Sequence, residues 1–162
     1  MIRSSYRELF ASGDPDRIVE TLRSAAQGQE RIPTNDIRRL ALETPFPRVR
    51  NAAVIALADL HARNAAETII ELLRRPGTRG SRRTLLYALS ELTAEVPLAV
   101  LVSIIADDTY EAREEALEIL HRASYTEEER ASALARLQAV VRSNNEHVRR
   151  AASEAIEFLS TP

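Results

Sequence analysis

A chain of 162 residues is about one domain's worth, and with 44% of its residues hydrophobic it can bury a sizeable core. Only 4% of residues are aromatic and none is tryptophan, so the core is aliphatic, a palette that suits packed helices and argues against an all-β fold. The absence of cysteine excludes disulfides, thiolate metal sites and cysteine nucleophiles; all 22 basic residues are arginine, which excludes lysine chemistry; and the net charge of −2 lacks the basic excess of a nucleic-acid binder.

The first predicted element is a short leading helix over 4–11. Arg3, Arg7 and Glu8 break up any apolar run there of the kind an export signal needs, so a cytoplasmic protein is expected. A helix over 15–27 follows, with Asp14 as N-cap and Pro15 in the first turn. Beyond it two apolar registers repeat. The helix predicted over 34–43 begins one of them: Ile37, Ile69, Leu101 and Leu137 are equivalent, as are Leu40, Leu72, Ile104 and Val140, with steps of 32, 32 and 36 residues. The helix over 47–60 begins the other, in which Arg50, Arg82, Arg113 and Arg149 recur at steps of 32, 31 and 36. Within every segment the apolar residues recur at three- and four-residue intervals, the period of an amphipathic helix.

Helices of the arginine register are designated A and the others B. After 47–60 (A) come 65–75 (B), a basic turn over 74–80 containing Gly77 and Gly80, 81–92 (A), 97–106 (B), 109–122 (A), 127–142 (B) and 146–160 (A). Prolines 33, 45, 47, 76 and 97 fall between helices or at their starts. Asp108 with Glu111 reads as a capping pair, and Thr126 with Glu129 as a capping box. Arg113 to Leu137 spans 24 residues where Arg50 to Ile69 spans 19, so an insertion of five is expected near Ser124-Tyr125.

The string Val49-Arg50-Asn51-Ala52-Ala53, repeated as Val148-Arg149-Arg150-Ala151-Ala152 and followed by a helix of the type Leu/Ile-x-x-Leu/Ile-Leu/Ile, resembles the short bacterial HEAT-like repeat also found in phycobilisome lyases. The resemblance implies an all-α, right-handed α-solenoid of about four to five HEAT-like helix pairs, with B helices lining a concave side. The parsing is then one repeat domain over 1–162, with repeats at 15–43, 47–75, 81–106 and 109–142 and a terminal helix at 146–160 whose Arg150, Ser153, Glu154 and Glu157 form a polar cap.

No catalytic, cofactor or metal site is expected. His61, His121 and His147 share no ligand spacing, and the repeated His-Glu pairs of the iron-binding HEAT-like hydroxylases are absent, Glu146-His147 being reversed and unrepeated. The acids Asp107, Asp108, Glu111, Glu114, Glu115 and Glu118 read as caps and a solvated face. The recurring arginines are expected to pair with acids or carbonyls of the adjacent repeat.

The functional expectation is a non-enzymatic module that binds a protein or peptide on the concave face, as an adaptor, regulatory subunit or immunity-type inhibitor. Placing Ile69, Leu72 and Leu73 inward turns Glu67, Glu71 and Arg74 outward, with Ile70 flanking. The same register adds Arg38 and Arg39 from the first row and Val102 and Ala106 from the third. The 97–106 helix carries no charge; either its neighbours cover it or it marks a partner surface, and burial in the array centre is the expected answer. Two alternatives are carried. One is a lyase-like ligand chaperone or enzyme; the other is a nucleic-acid binder using Arg74 and the anion contacts Arg75, Arg79, Arg82 and Arg83.

Overall fold

Polar caps at Asp14, Thr109, Thr126 and Asn145, and prolines 33, 47 and 97 at or just before the first turn, mark helix starts in the computed structural model, which describes residues 3–161. Positions 1, 2 and 162 of the expected domain lie outside the described residues. Ten α-helices and no strand are present among the described residues: α1 Arg3–Ser12, α2 Pro15–Ala26, α3 Thr34–Glu43, α4 Pro47–Asp59, α5 Ala65–Arg74, α6 Arg82–Glu91, α7 Leu98–Asp107, α8 Tyr110–Arg122, α9 Glu127–Val140 and α10 Glu146–Ser160. A short 3-10 turn, Pro76–Thr78, occupies the basic connection before α6. The all-α class and the alternation of A helices (α2, α4, α6, α8, α10) with B helices (α3, α5, α7, α9) are as the periodicity demands.

The chain separates into two compact units, residues up to Leu72 and residues from Leu73, each described by itself. In the first, α4 packs against both α2 and α3, and α1 rests on α2. Leu22, Ile37, Val49, Val54 and Ile69 are buried in this unit. Asp14 caps α2 by accepting a hydrogen bond from the Arg17 amide at 3.2 Å. Tyr6 attaches α1 to α3, its hydroxyl donating to Asp36 Oδ2 at 2.8 Å, while Arg7 approaches the same oxygen at 3.5 Å. The Tyr6 hydrogen bond, then the Arg7 charge, hold the Asp36 carboxyl below its ordinary value. A carboxylate with a lowered folded-state value stabilises at pH above its unfolded value and loses that contribution as pH falls through the folded one. Tyr6→Phe is therefore expected to cost about 1 kcal/mol at neutral pH. Its difference from the parent, read by urea unfolding, closes as acid protonates Asp36; a pH-independent difference would refute the assignment.

In the second unit α7 is the centre. It packs on α8, α9 and α10, while α6 packs on α8 and α10 on both α8 and α9. Leu98, Val100, Leu101, Val102, Ile104 and Ile105 are all buried, which settles the uncharged 97–106 segment as core. Thr126 and Glu129 form the expected capping box on α9. The insertion belongs to this helix pair, but it lengthens α9 at its N-terminal end instead of the connection at Ser124-Tyr125. Leu137 stands ten residues beyond the first residue of α9, whereas Ile69 stands four beyond that of α5.

Three A helices end in the same way. Gly28, His61 and Thr93 adopt left-handed conformations with φ of 73°, 46° and 49°. In each case the left-handed residue's amide bonds back across the last turn, and the next amide reaches one carbonyl earlier: His61 to Ala58 and Ala62 to Leu57, Thr93 to Ser90 and Ala94 to Leu89. This is the Schellman arrangement, which glycine adopts at least cost. A β-branched residue there is strained by about 1–2 kcal/mol, partly offset by the extra chain entropy a glycine loses on folding. Thr93→Gly should raise unfolding stability by about 0.5–1 kcal/mol in urea denaturation, and a loss would show that Thr93 makes contacts outweighing its strain.

Candidate interaction surface

A side chain of α3 reaches laterally to α5 in the first unit. Arg38 on α3 donates from Nε to Thr68 Oγ1 on α5 at 3.0 Å, and the Thr68 hydroxyl, itself buried, donates to the Asn64 carbonyl at 2.7 Å. The stem of Arg38 is thereby held half-buried between the helices. Arg39 and Glu67 are exposed, while Ile70 and Glu71 are half-buried. Arg39 lines a pocket with Arg7, Asp36, Glu43 and Phe46, toward α1. Five of the expected surface residues, Arg38, Arg39, Glu67, Ile70 and Glu71, thus occupy one unit.

Arg74 is exposed in the second unit. Val102 is a correction: it is 1% exposed, because α7 is enclosed by three helices and the side of it assigned to a partner is occupied by the protein's own core. Ala106, at the end of α7, is half-buried, and Ala99 is the exposed residue of that helix's first turn. Arg136 of α9 donates to the Ala99 carbonyl at 3.4 Å.

The arginine cluster is also corrected. Arg82 is not available to an external anion: its Nη1 meets Asp108 Oδ2 at 3.0 Å with the Asp108 side chain fully buried, its Nε donates to Thr78 Oγ1 at 3.2 Å, and its Nη2 donates to the Arg75 carbonyl at 3.2 Å. Arg79 is ion-paired with Asp107. Arg75 is half-buried and Arg83 exposed. Burial, then the charge of Glu118, raise the Glu115 carboxyl above its ordinary value, and Arg83 acts in the opposite direction on it. The basic turn is therefore met by acids from α7 and α8. Paired and partly buried guanidiniums have no free charge with which to displace counterions from a phosphate backbone.

Asp108 departs from its expected role. It does not cap α8; Thr109 does, accepting from the Ala112 amide at 3.3 Å. Freed from capping, the Asp108 carboxylate accepts from the Gly80 amide at 3.3 Å as well as from Arg82, and its carbonyl accepts from Arg113 Nη2. One aspartate thus links two successive arginines of the repeat. Arg149 follows the same habit toward the turn before its own helix, donating to the Ser143 carbonyl at 2.8 Å, and Arg50 is buried at the equivalent position. The expected partner in the adjacent repeat is present in the Arg82–Asp108 pair, whereas all three carbonyls, of Arg75, Asp108 and Ser143, lie just before the arginine's own helix.

The histidines are dispersed. His61 is the left-handed residue after α4, His121 lies edge-on to Phe158 at 4.8 Å, and His147 lies edge-on to Tyr110 at 5.6 Å. Among the described residues no group of three or more His, Asp or Glu side chains is arranged to hold a metal ion. No helix among them is long and apolar enough to cross a membrane.

A family model described as HEAT repeats matches residues 34–121, slightly more than half of the chain. The chain belongs to the HEAT repeat family. The matched span of this HEAT chain runs from α3 almost to the end of α8 and so includes both Arg38 with Thr68 and the Asp108 network. No curated protein and no solved structure matches it. HEAT repeats commonly mediate protein–protein contacts and are generally scaffolds without catalytic activity.

Proposed function

We propose that this chain is a non-enzymatic interaction module that binds a protein or peptide on its B-helix face, in an adaptor, regulatory or inhibitory role. The observation that carries the reading is the Arg38–Thr68 bond. It ties α3 to α5, the two helices whose exposed Arg39 and Glu67 and half-buried Ile70 this reading assigns to the binding face. Aliphatic contact in the centre would supply affinity, while the opposed charges of the two helices would set partner orientation and association rate. The nucleic-acid alternative loses support from the pairing of Arg79 and Arg82 with Asp107 and Asp108.

The test is affinity capture from native lysate with the parent chain and with an Arg39→Glu/Glu67→Arg variant whose thermal midpoint matches the parent. Both substitutions are at exposed positions and should leave stability within about 0.5 kcal/mol. A protein held by the parent and released by the variant supports this face. A protein held equally by both rejects it, and recovery of no protein by the parent rejects the adaptor reading.

A further inference from the structure

The second unit contains a cleft of about 850 Å³ on a different part of the chain from the face just described. One wall is the turn between α6 and α7, with Ala94, Val96 and Pro97; the other is the turn between α8 and α9, with Ala123 and Tyr125, and Ile119 of α8 also lines it. These walls are apolar, but the groups at their edges share one chemical character. Glu95 is exposed and makes no ion pair within the described residues. Glu129 uses Oε2 to accept from the Thr126 amide and hydroxyl, both at 2.9 Å, so its other oxygen remains open. Arg122, the cation lining the cleft, is taken by Glu118 at 2.9 Å. Ser90 and Tyr125, which also line the cleft, have hydroxyl oxygens that are closed off from solvent and without a hydrogen-bond partner. Burial, then the Glu129 charge, push the Tyr125 phenol up to about 12.

The surplus at the edges is thus in negative charge. A neutral amide gains less from two carboxylates than a charged donor does, and an anion is repelled. An arginine side chain fits every part: its stem covers apolar walls, its planar head presents five donors, and it packs on an aromatic ring.

We propose that the cleft between the α6–α7 and α8–α9 turns is a receptor for an arginine side chain of a partner peptide, with the stem along the apolar walls and the guanidinium bound between Glu95 and Glu129. The charge complementarity of the rim identifies the occupant. This site does not depend on the B-helix face.

The test is an NMR titration of the full chain with N-acetylargininamide, following the backbone amides of 93–96 and 123–126. Saturable shifts confined to these turns are expected. Glu95→Gln/Glu129→Gln should weaken binding about tenfold, and the glutamine introduced at position 129 can still close the capping box, so helix α9 is preserved. The uncharged isostere N-acetylcitrullinamide should bind at least about tenfold more weakly. Absence of saturation up to about 50 mM would overturn the proposal, as would equal binding of the citrulline compound or an unchanged affinity in the double glutamine variant. The Arg39→Glu/Glu67→Arg variant should titrate like the parent, which keeps failure here distinct from failure of the B-helix face.

Discussion

Asp108→Ala is expected to destabilise the second unit by about 3–5 kcal/mol, the cost of leaving a buried guanidinium without its counter-charge. The Asp108 side chain is fully buried and that of Arg82 is 9% exposed, so water cannot replace the lost carboxylate. The Gly80 amide loses an acceptor in the same step. If the broken ion pair accounts for most of the loss, Arg82→Met/Asp108→Leu recovers the larger part of it, because two apolar side chains avoid the desolvation penalty that the pair must overcome. Urea unfolding of the two variants decides the matter. A loss below about 1 kcal/mol for Asp108→Ala would mean that Arg82 is satisfied by the Thr78 hydroxyl and the Arg75 carbonyl alone.

Val102→Asp is the second large effect. Val102 is 1% exposed on a helix packed against three others, so a carboxylate there is buried among aliphatic side chains. Burying it without a partner costs about 4 kcal/mol or more, a large fraction of the roughly 5–15 kcal/mol that holds a domain folded. Ala99→Asp places the same charge three residues earlier on the same helix, at an exposed position in the first turn. There the helix dipole favours it, and stability should stay within about 0.5 kcal/mol of the parent. Circular dichroism with urea titration separates the two. A folded Val102→Asp protein of parental stability would place Val102 at the surface, as its register position suggests.

These two residues mark where the pattern in the chain stops being informative. Val102 occupies the register position held by Arg38 in α3 and Ile70 in α5, both half-buried, yet it is core in α7. Register reports which side of a helix a residue lies on, whereas burial depends on how many other helices surround it. In α7 the buried Leu98, Val100, Leu101, Val102, Ile104 and Ile105 take up more than half of the helix circumference, leaving Ala99, Ser103 and Ala106 on the remaining side. Asp108 stands beside a better capping residue, Thr109, and its Arg82 partner lies 26 residues away. Local spacing reads capping because a cap acts over three residues; an ion pair across a repeat leaves no such trace.

The Schellman ends at His61 and Thr93 were illegible for a related reason. Neither residue is the glycine that marks such an end in a sequence, and the closure of the turns before α5 and before α7 requires the left-handed conformation. The cleft between the two turns of the second unit is likewise a product of packing, since Glu95 and Glu129 are 34 positions apart and belong to no motif.

Sequence by itself determined the helix inventory, the two interleaved registers and the repeat family, because these rest on local periodicity, capping and turn chemistry that each segment carries independently. The tertiary structure alone decided which arginines are neutralised, which apolar residue is core and which two turns bring Glu95 and Glu129 to one cleft. Those outcomes depend on side chains far apart in the chain meeting in a low-dielectric interior, where an unpaired charge or hydroxyl is costly and a paired one holds neighbouring repeats together.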